Sequence, residues 1–132
     1  MDCGCAPGGW SAYCSRKLSL WDSENQHNWT IIGIDLLKVE PIQNVHLIQG
    51  DFTEKSIKLN IQQLLAGTHC CDLVLSDMSP NHSGHKDIQH YASMTLAQSA
   101  LEFFIQVGKP KTGSFLCLYF VGEQESTFLE QM

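Results

Sequence analysis

The sequence predicts an α/β domain with a mostly parallel sheet, and three observations support this fold class. Short apolar runs rich in β-branched residues recur along the chain, among them WTIIGIDL at 29–36. Segments with apolar residues at helical spacing separate these runs, and strands joined through helices pair in parallel by right-handed crossovers. An acidic residue stands at the end of three runs or just after it: Asp35, Asp51 and Asp77.

The first quarter of the chain is dominated by a turn rich in Gly and Pro. A strand stub at 1–3 precedes GCAPGG at 4–9, where Gly and Pro interrupt regular structure. A helix is predicted over 10–18, with aromatic residues on one face. The polar segment SLWDSENQHN at 19–28 predicts a loop.

Strands and helices alternate along the rest of the chain. Strands are predicted where apolar runs are short and rich in β-branched or aromatic residues: 29–36, 45–48, 71–76 and 114–120. Helices are predicted at 53–65 and 87–107, where apolar residues recur three and four positions apart. No repeat and no linker divides the chain, so we expect a single domain over 1–132.

Composition excludes several classes of protein. A hydrophobic content of 43% with 17% charged residues is typical of a globular α/β domain rather than of a disordered chain. No apolar run approaches the roughly 20 residues of a membrane helix. The N-terminal residues match neither a signal peptide nor a mitochondrial presequence, so we expect a protein that is not secreted. A net charge of −6 has the wrong sign for non-specific nucleic-acid binding.

Most of the six cysteines are interpreted as small buried hydrophobes in a reducing compartment. A metal site would have to use Cys3, Cys5 and nearby histidines. Their spacing matches no zinc template, so we predict no metal site. Two N-glycosylation patterns, at 28–30 and 81–83, are interpreted as chance matches.

The turn and the acids together predict a nucleoside-binding edge of the sheet. Glycines such as Gly4, Gly8 and Gly9 let backbone N–H groups approach a ligand. Pro7 and Trp10 distinguish GCAPGGW from the GxGxxG loop that holds a pyrophosphate. Taken singly, such a turn is more often only a tight turn.

The acids supply the rest of the predicted site. Asp35 suits a pair of ribose hydroxyls, because a carboxylate accepts several hydrogen bonds. Asp51 is expected to accept from an adenine amino group while the Phe52 ring stacks on the base. A single Asp after a strand is more often a helix cap. The combination favours S-adenosylmethionine, whose positive sulfonium tolerates an acidic rim.

Five segments in order, DCGCAPGGWSAY, GIDLL, QGDF, LSDMSPNHSG and GSFLCLYF, carry a family resemblance. The chain resembles the FtsJ/RrmJ family of S-adenosylmethionine-dependent RNA 2′-O-methyltransferases, and the match runs nearly end to end. The resemblance implies a Rossmann-like methyltransferase fold, with ribosomal RNA or a ribosomal subunit as partner. It is strongest to the bacterial and mitochondrial members, which implies a mitochondrial, otherwise cytoplasmic or nuclear, location.

The resemblance also implies roles for individual residues. Gly8 and Trp10 would contact the cofactor, Asp35 its ribose and Asp51 its adenine. Asp77 would lie between cofactor and substrate, as one member of a Lys-Asp-Lys-Glu catalytic set. A lysine of that set, the base, aligns with Leu118, which has no ionisable proton. His85 and Lys86 are the nearest candidates to replace it, but both are interpreted as polar loop residues, and Lys109 and Lys111 are interpreted as solvated turn residues.

The other lysine and the glutamate of that set align outside 1–132, so we expect a methyltransferase domain shortened at both ends. This would leave SFLCLYF as an exposed apolar edge. Two functions from different classes follow: a methyltransferase with impaired activity, or a non-catalytic module that binds S-adenosylmethionine or RNA. A nicotinamide-dependent oxidoreductase is a more distant alternative, because it would need a pyrophosphate loop.

Overall fold

A parallel sheet of five strands organises the molecule. The computed structural model describes residues 1–22, 29–65, 71–80, 84–122 and 125–132. Its elements are β1 (Asp2–Cys3), α1 (Gly9–Trp21), β2 (Ile31–Asp35), β3 (Val45–Gln49), α2 (Lys55–Leu64), β4 (Leu73–Ser76), α3 (Lys86–Val107), β5 (Ser114–Cys117) and α4 (Glu125–Leu129). The strand order is β3-β2-β1-β4-β5, and every pair is parallel. The α/β class and the parallel sheet are thus confirmed.

Helices cover both faces of this sheet. Cys3 of β1 lies in the main hydrophobic cluster with Ile61 of α2 and Phe103 of α3. Its neighbour Asp2 instead accepts a hydrogen bond from Ser11 of α1. Because successive side chains of a strand point to opposite faces, α1 lies on one side of the sheet and α2 and α3 lie on the other.

The predicted element bounds differ from the observed ones by three residues at two ends, and by at most two residues elsewhere. Helix α1 continues to Trp21, so the first residues of the predicted loop at 19–28 are helical, while residues 23–28 lie outside the described ones. Strand β5 ends at Cys117 rather than at residue 120. The reason is that backbone groups of Phe120 bond to α3 side chains: its N–H donates to Ser93 Oγ at 3.0 Å, and its carbonyl oxygen accepts from His90 Nδ1 at 2.7 Å. Helix α4 was not predicted.

The last strand forms an apolar edge, as expected. Within the described residues β5 pairs only with β4. Phe115 and Cys117 point towards α3 and α4, whereas Leu116 and Leu118 are 51% and 50% exposed on the other face.

The cysteine interpretation is confirmed for three of the six residues. Cys3, Cys5 and Cys71 are buried and unpaired, and burial raises the pKa of Cys5 to about 12, which makes it an unreactive thiol. Cys14 and Cys117 are partly exposed, and Cys70 and the glycosylation pattern at 81–83 lie outside the described residues. In the part of the chain that the structure describes, no helix combines the length and apolarity needed to span a membrane.

Candidate nucleoside-binding rim of the sheet

The carboxyl ends of three strands meet at one edge, which we call the carboxyl rim and define by Gly4–Gly9 and the acids Asp35 and Asp77. Cys3 is in register with Ile34 of β2 and with Ser76 of β4. The residues that follow the three strands are therefore neighbours. The N–H of Gly4 donates to the Ile34 carbonyl at 2.9 Å, and the N–H of Asp77 donates to the Cys3 carbonyl at 2.9 Å.

Asp35 fastens the glycine turn to β2. Its Oδ2 accepts from the N–H of Ala6 at 2.9 Å, and its Oδ1 accepts from the N–H of Leu37 at 2.8 Å. A carboxylate offers about four lone-pair positions, so these two bonds leave capacity for a pair of ligand hydroxyls. The side chain is partly exposed, which keeps that capacity reachable.

Gly4 allows the turn to approach the strand that bears Asp77. Its φ is +78°, a value that side chains rarely adopt, and an added Cβ would lie 2.7 Å from the Asp77 carbonyl oxygen. Glycine is therefore required here by the protein itself, whatever the turn binds.

Gly8 and Gly9 differ in whether the surrounding structure leaves room for a side chain. Gly8 is the N-cap of α1 with a φ of +114°, and an added Cβ would meet Cδ1 of Ile42 at 2.6 Å. At Gly9 an added Cβ would meet no atom of a described residue within 4 Å. Pro7 is exposed on the same turn after a cis peptide bond, and Trp10 is half-buried in the first turn of α1.

Sequence reasoning missed Asp2, which lies beneath the turn. Only 2% of this residue is exposed, and its Oδ2 accepts from the Ser11 hydroxyl at 2.7 Å while its Oδ1 has no partner among the described residues. Burial raises its pKa, the hydroxyl and N–H of Ser11 oppose that rise, and the nearby Asp77 adds to it. The sequence signal was an acid one residue before CGCAPGG, within an otherwise apolar strand stub.

Asp51 and Phe52 follow β3 at the same edge of the sheet, but their local contacts differ from those predicted. Asp51 Oδ1 accepts from both the hydroxyl and the N–H of Thr53, at 2.6 and 2.8 Å, and these bonds lower the pKa of Asp51. The Phe52 ring is only 4% exposed and packs edge-on against Phe103 at 5.5 Å. The predicted stacking of this ring on a base is wrong for this structure, because the ring fills the core.

Leu118 lies beside Asp77. Its N–H donates to the Ser76 carbonyl at 2.8 Å, which continues the β4–β5 ladder by one residue to the position adjacent to Asp77. Asp77 is exposed, and the Leu118 side chain is 50% exposed. The arrangement places a hydrocarbon where the resemblance implies a lysine.

The other candidate bases lie elsewhere or have other contacts. Lys109 pairs with Asp72 at 3.1 Å, ahead of β4 and β5 and therefore at the opposite end of the sheet. Lys111 lies in the same exposed turn, and His85 and Lys86 are exposed where α3 begins. Within the described ranges, no three His, Cys, Asp or Glu residues are grouped closely enough to hold a metal ion.

Comparison with known proteins assigns the chain to a family. The profile of the FtsJ-like methyltransferases matches residues 1–132, and the chain belongs to that family. A solved structure from Plasmodium falciparum, described as a ribosomal RNA methyltransferase, superposes with a TM-score of 0.76 at 29% identity, covering 99% of this chain and 72% of that one.

Curated relatives are enzymes that carry the name ribosomal RNA large subunit methyltransferase E. The one from Rickettsia akari is 40% identical over 132 residues, covering 100% of this chain and 56% of the relative. The one from Herminiimonas arsenicoxydans is 40% identical over 131 residues, covering 99% and 60%. The chain thus spans a little over half the length of these relatives.

Proposed function

We propose that this chain binds S-adenosylmethionine across the carboxyl rim and descends from enzymes that methylate ribose 2′-hydroxyls of ribosomal RNA. One observation carries the proposal: the Asp35 carboxylate is held by Ala6 and Leu37 at the end of β2, with its remaining lone pairs beside the glycine turn. This geometry suits the two hydroxyls of a ribose.

The rim also fits the rest of the cofactor. Asp2, Asp35 and Asp77 make this edge acidic, which suits a sulfonium and opposes the phosphates of a dinucleotide. Gly9 leaves space that none of the described residues fills. When bound, S-adenosylmethionine supplies an electrophilic methyl group. Asp77 is exposed beside Gly4 of the turn and would orient the methyl donor or the substrate.

The catalytic base is the weakest part of this site. A ribose 2′-hydroxyl is a very weak acid, so its attack needs a general base or a nearby positive charge. Leu118 occupies the place next to Asp77 and can provide neither. We therefore propose that the chain retains the cofactor and transfers methyl groups poorly, and that ribosomal RNA, which the relatives' names specify, is its partner.

The test combines calorimetry with a transfer assay. Titration of S-adenosylmethionine should give one site, and Asp35→Ala should weaken it at least tenfold. Asp72→Ala, which removes a surface carboxylate from the opposite end of the sheet, is the matched control and should bind as the wild type does. Transfer of labelled methyl groups to ribosomal RNA should be undetectable. Absence of cofactor binding by a folded wild-type chain would overturn the proposal, and turnover abolished by Asp77→Ala would overturn its impaired-activity part.

A non-catalytic binding module is the second candidate, and Leu118 is the observation that favours it. Cofactor binding with no turnover on ribosomal RNA, even after Leu118→Lys restores the lysine, supports this candidate over the enzyme. From the resemblance of its motifs to the mitochondrial members of the family, we also propose a mitochondrial location and a part in ribosome biogenesis. Imaging of the tagged protein with an organelle marker tests the location.

A further inference from the structure

Helix α1 presents aromatic and basic side chains along one exposed face. Trp10, Tyr13, Lys17 and Trp21 are spaced by three, four and four residues, so they share a side of the helix, and Arg16 flanks them. We call these five residues the α1 stripe. Tyr13 is 55% exposed and Trp21 is 76% exposed, while Arg16 and Lys17 are also exposed.

Contacts on the opposite face fix the orientation of the stripe. The Ser11 hydroxyl donates to Asp2 at 2.7 Å, and the Ser15 hydroxyl donates to the Gln43 carbonyl at 2.6 Å. These two serines are the buried residues of α1. The packing of the helix therefore depends on its serine face, and the large side chains of the stripe are left directed outwards.

The charge of the stripe is unusual for this chain. The protein carries a net charge of −6, and Arg16 with Lys17 is the one place where two of its eight cationic residues are adjacent. Within the described residues no carboxylate forms an ion pair with either of them. The Lys17 ammonium lies 5.7 Å from the centroid of the Tyr13 ring, so a cation and an aromatic surface are presented together.

We infer that the α1 stripe binds single-stranded RNA and leads it to the carboxyl rim. Aromatic rings that stack bases, with cations that neutralise phosphates, are the means by which proteins hold single strands. From Trp10 to Trp21 the helix rises about 16 Å, the length of about five nucleotides at the 3.4 Å spacing of one strand. The stripe starts at Trp10, next to Gly9 of the rim, so an RNA on it reaches the site. This inference rests on the proposed function for the identity of the partner.

Fluorescence anisotropy with a labelled single-stranded uridine oligonucleotide tests the inference. Tyr13→Ala and Trp21→Ala should each weaken binding roughly fivefold or more, because one stacked base is lost. The double variant Arg16→Ala/Lys17→Ala should reduce the slope of log Kd against log salt concentration by about 1.4, because two phosphate contacts are lost. Tyr13→Phe keeps the ring and should bind as the wild type does.

A matched double variant, Lys55→Ala/Lys111→Ala, removes two exposed lysines from outside the stripe and should leave the salt dependence unchanged. Wild-type failure to bind, or unchanged binding by the three stripe variants, overturns the inference. A change in molecular mass on substituting Trp21 would also overturn it, by showing that a second copy covers the stripe. Calorimetry with S-adenosylmethionine separates this inference from the proposed function. A wild-type chain that binds RNA but not S-adenosylmethionine contradicts the proposed function alone.

Discussion

The N–H of Ala6 donates a 2.9 Å hydrogen bond to Oδ2 of Asp35, and this bond joins the glycine turn to the end of β2. We expect Asp35→Ala to lower the free energy of unfolding by about 1–3 kcal/mol, because the N–H groups of Ala6 and Leu37 lose a charged acceptor. Urea unfolding measures this change. Asp72→Ala, which breaks only an exposed ion pair, should cost at most about 1 kcal/mol. Equal losses in the two variants would contradict the anchoring role of Asp35.

Gly8 and Gly9 should respond in opposite ways to alanine. Gly8→Ala forces a φ of +114° and a 2.6 Å approach to Ile42, so it should cost about 1–3 kcal/mol of stability. Gly9→Ala lies within α1 and meets no described atom within 4 Å, so the melting temperature should stay the same or rise slightly while affinity for S-adenosylmethionine falls. Thermal melts and calorimetry on both variants check this. A Gly9→Ala protein with full affinity would show that no ligand uses that space.

Asp2→Asn should change how stability depends on pH. Burial raises the pKa of Asp2 above 3.8, so ionising the side chain costs more in the folded chain than in the unfolded one. Relative to Asp2→Asn, the wild type is therefore most stable below the unfolded pKa and loses stability as the pH rises through the raised folded pKa. Urea unfolding of both proteins from about pH 3 to about pH 7 tests the direction of this pH dependence. A difference in unfolding free energy between the two proteins that does not change with pH would contradict it.

Thr53→Val should raise the pKa of Asp51 towards 3.8. The hydroxyl of Thr53 is the main cause of the lowered pKa, and the variant keeps only the backbone N–H donor. The stability from these bonds is present above the unfolded pKa and is lost as the pH falls through the lowered folded pKa. NMR titration of the Asp51 carboxyl measures the shift. Thr95→Val, whose hydroxyl bonds to the Tyr91 carbonyl instead, should leave it unchanged.

Leu118→Lys should increase methyl transfer. The substitution places an amine beside Asp77, where the N–H of residue 118 is already fixed on Ser76. A positioned general base contributes about 10²-fold or more, so we expect activity to rise from undetectable to measurable with labelled cofactor. Leu116→Lys adds the same charge two residues earlier on the same face and should give no activity. Equal activity in the two variants would contradict the assignment of position 118.

Much of the fold followed from local patterns in the sequence. The apolar runs located β2 to β5 because a strand buried on both faces needs a nearly continuous apolar segment. Their alternation with helices indicated parallel pairing. The predicted end of β5 was wrong because it depends on tertiary contacts. The strand ends early since His90 and Ser93 hold the Phe120 backbone. No pattern near residue 120 contains those two side chains, since they come from α3.

The site was predictable in outline but not in its contacts. Strand ends that meet at one edge follow from parallel pairing, so Asp35 and Asp77 were expected beside the turn. The sequence could not tell an aromatic ring that lines a site from one that fills the core, and Phe52 proved to be in the core. Its one signal for Asp2, an acid directly before the glycine turn, did not distinguish a buried residue from a solvent-exposed one, because burial of Asp2 depends on the packing of α1 over it.

The sequence by itself determined the class of fold, the family and the order in which the rim residues occur. These features depend on short segments of neighbouring residues, such as the apolar runs of the strands and the glycine turn. Only the tertiary structure decided that Asp35 holds the turn, that Asp2 lies buried beneath it, and that Leu118 stands next to Asp77. Each of these relationships joins residues from separate elements. Their proximity is set by the register of parallel strands and by helix packing, which depend on the whole chain.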